Sequence, residues 1–113
     1  MKAKLAGFVE KKLNGRVIGF KFGTNAFALL SELHNVELDE LDKVLGNVTG
    51  IRDLIFCAAQ AWALSAGKEV WFNRYQVGDW LDEMSQVDYE DILGALNNAK
   101  VLGRSLEAGE KKV

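Results

Sequence analysis

The sequence predicts a mostly helical α+β domain in which an N-terminal β-hairpin packs on about five helices around a central apolar helix. Three observations lead to this fold class. An Asn-Gly pair at positions 14 and 15 separates two strand-like segments. Residues 49–66 are apolar nearly all round at helical spacing. Proline is absent from the 113 residues, so no helix is interrupted by one, and 49% hydrophobic residues suffice for the core of one domain.

The predicted hairpin spans residues 5–22. Asn14-Gly15 favours a two-residue turn because both residue types tolerate a positive φ. Alternation along the second arm places three apolar side chains on the core side of the hairpin. They are Ile18, Phe20 and Phe22.

The central helix is predicted over residues 49–66, with both ends marked. Thr49 is suited to cap its first turn, and Gly67 is suited to close it in the left-handed conformation. Four polar residues interrupt an otherwise apolar surface. They are Arg52, Asp53, Gln60 and Ser65. We expect a helix of this composition to be buried, with the other segments packed on it.

Two shorter helices are predicted before the central helix. The first covers residues 26–34, is capped by Thr24 or Asn25 and stops at Asn35. The second begins at Glu37 or Leu38, reaches Leu45 and is ended by Gly46.

Two further helices are predicted after the central helix. One is capped by Asn73 and reaches Met84, and the last is capped by Asp88 and extends to residue 99. The helical part of the domain is thus predicted over residues 24–102. We expect one domain over residues 1–104 and a flexible tail over residues 105–113.

Composition excludes several classes of function. The formal net charge of −2 does not favour nucleic acid, and no apolar run reaches the length of a membrane span. The single cysteine, Cys57, fits a reducing compartment and a packing role in the core helix. The single histidine, His34, lies at a helix end with no metal-ligating partner near it in sequence, which favours either a surface residue or one that complements the helix dipole. We therefore expect no catalytic residue, no metal and no cofactor, and the chain is not predicted to be an enzyme.

Two clusters keep more than one interpretation. Residues 79–91 contain six acidic residues without a lysine or arginine, which is typical of a solvated helical face and also of a docking surface for a basic partner helix. Trp71, Phe72 and Tyr75 lie in a connecting segment, where aromatic residues either cover the core or anchor an interface.

The order of several segments resembles the small tail assembly chaperones of long-tailed bacteriophages, which also occur in prophages. These segments are residues 17–26 (VIGFKFGTNA), 49–55 (TGIRDLI), 77–84 (VGDWLDEM) and 92–96 (ILGAL), and the resemblance covers roughly residues 14–102. It implies a non-enzymatic assembly factor that binds the tape measure protein, keeps it soluble and helps recruit tail tube protein. It further implies a protein of the bacterial host cytoplasm that is absent from the mature virion. Many members are made in two lengths by programmed frameshifting, for which the lysine pair at positions 111 and 112 is a candidate site.

A chaperone of this kind needs apolar surface for client helices and acidic rims for solubility. Five residues are the expected partner-binding positions: Trp71, Tyr75, Trp80, Met84 and Tyr89. We predict that Trp80→Ala weakens client binding more than it lowers stability. The runner-up function is an acidic adaptor or regulatory module that binds a basic protein. A homo-oligomer fits either function.

Overall fold

The computed structural model describes residues 6–13 and 15–105. It confirms the predicted mostly helical α+β class. The strands are β1 (Phe8–Leu13), β2 (Arg16–Lys21), β3 (Lys100–Val101) and β4 (Arg104–Ser105). The helices are α1 (Thr24–His34), α2 (Leu41–Val44), α3 (Val48–Ser65), α4 (Arg74–Glu83) and α5 (Gln86–Asn97), with one 3-10 turn (Leu38–Glu40) before α2.

Strands β1 and β2 form the predicted antiparallel hairpin. Their register runs from Phe8 opposite Lys21 to Leu13 opposite Arg16, which leaves a two-residue connection. Gly15 in that connection has a φ of 78°, and Asn14 lies outside the described residues. The predicted core side is confirmed, since Ile18, Phe20 and the following Phe22 are all buried.

Helix α3 is the central element, as predicted. It packs against α1 and β2, and it buries most of its alanines with Leu54 and Ile55. Two glycines permit this close packing. A Cβ at Gly19 of β2 would lie 2.4 Å from the indole of Trp62, and a Cβ at Gly50 would collide with the carbonyl oxygen of Val44. Small residues at these positions let α3 approach its neighbours closely.

Three of the predicted helix ends are confirmed. Asn35 ends α1 in the left-handed conformation, Gly67 follows α3 with a φ of 73°, and Asn73 caps α4 in a capping box with Gln76.

Three of the predicted N-terminal caps are wrong. Helix α3 is capped by Asn47 and not by Thr49, because the Asn47 side chain accepts from the backbone N–H of Gly50. Helix α5 is capped by Ser85 and not by Asp88, whose own N–H is the donor to the Ser85 hydroxyl. Helix α1 starts after Gly23 without a side-chain cap. The hydroxyl of Thr24 instead accepts from the N–H of Leu102.

The predicted helical part extends too far. Helix α5 ends at Asn97, and residues 100–105 form a second small hairpin from β3 and β4. A parallel bridge between Gly23 and Lys100 joins this hairpin to the start of α1. Residues 106–113, which make up most of the predicted tail, lie outside the described residues.

One ion-pair cluster joins the first strand to the last helix. Nζ of Lys11 on β1 lies 3.1 Å from Oδ1 of Asp88 and also contacts the carboxylate of Asp91. The pKa of Lys11 is raised, chiefly by the hydrogen bond to Asp91, because both carboxylates favour the charged ammonium. Among the residues that the structure describes, no helix combines the length and hydrophobicity that a membrane span requires.

Candidate functional site

A surface groove of about 590 Å³ lies between the N-terminal half of α3, helix α4 and the start of α5. Each of the three helices contributes to its lining. The lining residues are Val48, Ile51 and Arg52 from α3, Tyr75, Gly78, Asp79, Leu81 and Asp82 from α4, and Tyr89 from α5.

Two of the apolar or aromatic side chains that line the groove are exposed. Val48 is 83% exposed and Tyr75 is 64% exposed, whereas Ile51, Leu81 and Tyr89 are partly buried against the core. Both line the same groove, and exposed apolar surface in a groove is a common feature of interaction sites. The groove therefore combines exposed apolar side chains with others that pack against the core.

A buried carboxylate next to the groove residue Arg52 joins two helices of the groove, α3 and α4, to α1. Asp53 of α3 is fully buried and binds three cationic or hydrogen-bonding side chains. Its Oδ1 accepts from Nε of Arg52 at 2.9 Å, and its Oδ2 lies 3.3 Å from Nη1 of Arg74 and 2.8 Å from Nε2 of His34. Because these partners come from α1, α3 and α4, one carboxylate holds three helices together.

Both arginines of this network also lie against the ring of Tyr75, which lines the groove. The guanidinium carbon of Arg52 lies 5.1 Å from the ring centre of Tyr75, and that of Arg74 lies 5.6 Å from it. Gly78 makes room for the stem of Arg52, since a Cβ there would lie 3.3 Å from Cδ of Arg52. Arg52 thus lines the groove while its guanidinium pairs with Asp53 and lies near the ring of Tyr75.

The acidic run divides into two parts with different roles. Asp88 and Asp91 are paired with Lys11, and so they belong to the fold. Asp79 and Asp82, three residues apart on α4, are exposed at the groove. Within residues 6–13 and 15–105, neither of these two carboxylates forms a salt bridge. The groove therefore carries negative charge that the described part of the chain leaves uncompensated.

Cys57 lies one turn after Asp53 and is buried in the core, which confirms its predicted packing role. Burial raises the pKa of its thiol to about 12, with a further contribution from the negative charge of Asp53 and an opposing one from Arg74. The thiol is therefore neutral at physiological pH and poorly suited to act as a nucleophile.

The five predicted partner-binding residues do not share one surface. Tyr75 and Tyr89 line the groove. Trp71 is 43% exposed and lies 4.3 Å from the guanidinium of Arg16. Met84 is partly buried against the core.

Trp80, one of the five expected partner-binding residues, is buried and does not offer its ring to a partner at the surface. Trp80 is only 6% exposed, and its ring centre lies 5.4 Å from Phe72 and 5.7 Å from Trp71. The three rings form one aromatic cluster in which Trp80 is buried, so the indole of Trp80 contributes to core packing.

Sequence reasoning missed the aliphatic residues of the groove and the network beneath it. Val48 and Ile51 are three residues apart at the start of α3, a spacing that could have revealed a shared face. His34 does lie in the last turn of α1, but it is half-buried against Asp53 and is not a simple surface residue. In the described part of the chain, no three His, Cys, Asp or Glu residues are grouped to hold a metal ion.

Comparison of the chain with known protein families, with curated proteins and with solved structures finds no match.

Proposed function

We propose that the chain is a tail assembly chaperone of a long-tailed bacteriophage or prophage. It binds the tape measure protein in the cytoplasm of the bacterial host, keeps that protein soluble and helps recruit tail tube protein, and it is absent from the mature virion. The observation that carries the proposal is the groove between α3, α4 and α5, in which exposed apolar side chains lie beside uncompensated acidic ones.

The groove suits a helical client for a physical reason. All of its lining residues belong to helices, so the groove offers no strand edge with which an extended segment could pair. A helix satisfies its own backbone hydrogen bonds and needs only a place for its apolar face. Long apolar helices awaiting assembly are the part of a tape measure protein that requires such protection.

The acidic surroundings suit a chaperone that remains soluble while it offers apolar surface. Carboxylates at Asp79 and Asp82 repel a second groove of the same charge, which limits self-association through this face. The order of segments over residues 14–102 supports the same function through its resemblance to tail assembly chaperones.

Co-expression tests the proposal. The chain is expressed with the tape measure protein encoded nearby, and the soluble fraction and the affinity pull-down are measured. We expect the tape measure protein to be soluble only with this chain and to co-purify with it. The gene is also expected between the tail tube and tape measure genes.

A matched pair of variants links the result to the groove. Val48→Asp places a charge in the groove, and Leu64→Asp places the same charge on an exposed apolar position near the other end of α3. We expect only Val48→Asp to release the client. An insoluble tape measure protein under all conditions, without a complex, would contradict the chaperone function and direct attention to a basic partner protein.

A further inference from the structure

We infer that the groove selects an amphipathic helix whose apolar face is bordered by lysine or arginine, and that Asp79 and Asp82 make this selection. The inference rests on the proposed function, because it specifies which kind of client helix the groove accepts. It concerns the chemistry of the occupant and can be tested without any phage protein.

The charges of the groove lead to this occupant. Arg52 is the lining residue with a positive charge, and its Nε is committed to the buried Asp53 at 2.9 Å. Arg74, which also lies near Tyr75, donates to the same carboxylate. The negative charges of Asp79 and Asp82 therefore remain for the partner to compensate.

Two other acidic residues of the run differ from Asp79 and Asp82 in having an ion-pair partner. Asp88 and Asp91 lie in the same acidic run but are already paired with Lys11. A basic partner gains little from carboxylates that have a partner, and more from those that have none among the described residues. Asp79 and Asp82 are also separated by one helical turn, so two basic residues one turn apart on a docked helix can face them.

The shape of the groove favours a helix over a small molecule. A volume of about 590 Å³ is within the range of small-molecule pockets, but such pockets enclose most of the ligand. Here Val48, Tyr75, Asp79 and Asp82 are all exposed residues, and a small ligand would stay largely in water. A helix laid along the groove would cover these residues together.

Two synthetic helical peptides test the inference by isothermal titration calorimetry. Both carry leucine at the same i, i+3, i+4 and i+7 positions, and the bordering positions are lysine in one and glutamate in the other. We expect the lysine peptide to bind the wild-type chain roughly tenfold more tightly than the glutamate peptide, because each exposed ion pair adds a modest factor.

Two double variants locate the selection. Asp79→Asn with Asp82→Asn is expected to weaken binding of the lysine peptide roughly fivefold. Glu10→Gln with Glu32→Gln changes the net charge equally at exposed positions outside the groove lining, and is expected to change binding less than about twofold.

Several results would overturn the inference. Equal binding of the two peptides, equal effects of the two double variants, or no binding of either peptide would each do so. A concentration-dependent dimer that Val48→Asp dissociates, seen by sedimentation, would make a second copy the occupant. If the tape measure protein co-purifies while the peptides are not distinguished, the inference fails and the proposed function stands. If the peptides are distinguished but the tape measure protein is not retained, the proposed function fails alone.

Discussion

Oδ2 of Asp53 on α3 lies 2.8 Å from Nε2 of His34 at the end of α1, a contact between residues 19 positions apart in sequence. The carboxylate is fully buried, and it also binds two arginines whose side chains are partly exposed. Described buried side-chain oxygen and nitrogen atoms all have hydrogen-bond partners, so this charge is satisfied where it lies. The contact joins α1 to α3 beside Arg52, which lines the groove.

Replacing Asp53 with asparagine is expected to destabilise the fold. The change keeps the size of the side chain but removes the charge that three donors share, and a lost buried partner commonly costs several kcal/mol. Because His34, Arg52 and Arg74 keep some contact with water, we expect a loss of about 2–3 kcal/mol in the free energy of unfolding. Urea unfolding measures it, with Asp79→Asn as the exposed control, expected within about 0.5 kcal/mol of the wild type. A loss under about 0.5 kcal/mol for Asp53→Asn would mean that the network does not hold the helices.

Cys57 is expected to make stability fall at alkaline pH. Its folded-state pKa is raised to about 12, above the usual value for a free thiol, so the folded state disfavours the thiolate. The stabilising contribution is complete below the unfolded-state pKa and is lost as the pH rises toward 12. The expected slope is about 1.4 kcal/mol per pH unit across this window.

Denaturant unfolding of the wild type and of Cys57→Ala at several alkaline pH values tests this dependence. The difference in the free energy of unfolding between the two proteins reports the thiol alone, because tyrosine and lysine side chains titrate in both. We expect that difference to shrink as the pH rises, and a constant difference would contradict the raised pKa. Thiol-reactive reagent is likewise expected to label Cys57 in urea much faster than in the folded chain.

Gly19 and Gly94 provide a test of close packing. Gly19→Ala places a methyl group 2.4 Å from the indole of Trp62, and the resulting displacement is expected to cost about 1–3 kcal/mol. Gly94→Ala meets nothing within 4 Å on α5 and is expected to stabilise the chain by about 0.5–1 kcal/mol through helix propensity. Thermal unfolding measures both changes. Similar melting temperatures for the two variants would show that the Trp62 side chain moves aside without lowering the stability of the fold.

Variants of Trp80 and Tyr75 distinguish a residue that packs in the core from one that contacts a partner. The burial of Trp80 against Phe72 replaces the expectation from sequence, and Trp80→Ala is now expected to cost about 3–5 kcal/mol in stability. Tyr75→Ala removes an exposed ring and is expected to cost less than about 1 kcal/mol. Retention of the tape measure protein, measured beside urea unfolding, should fall for Tyr75→Ala while its fold remains intact. Full retention by this variant would remove Tyr75 from the docking surface.

Local patterns were sufficient for much of the fold. Alternation predicted the buried side of β2, and the apolar run predicted α3, because both signals come from neighbouring residues. The caps were less predictable, since Asn47 and Thr49 are both suitable residues within one turn and only the geometry of Gly50 decides between them.

The candidate site depended on distant contacts. In sequence Asp53 is a polar interruption of an apolar helix, and its partners His34 and Arg74 lie 19 and 21 positions away. Trp80 could be assigned to the core only once Phe72 and Trp71 were placed around it. Likewise, the sequence around the acidic run does not show that Asp88 and Asp91 pair with Lys11. That pairing is what distinguishes them from Asp79 and Asp82 at the groove.

The contact between Lys11 and Asp91 spans 80 positions and joins β1 to α5. The ribosome makes β1 before α5, so Lys11 is synthesised well before the two carboxylates that pair with it. During this interval the ammonium of Lys11 is without the two carboxylates that pair with it in the folded chain. The ion pairs between β1 and α5 therefore form only after residues 88–91 have been synthesised.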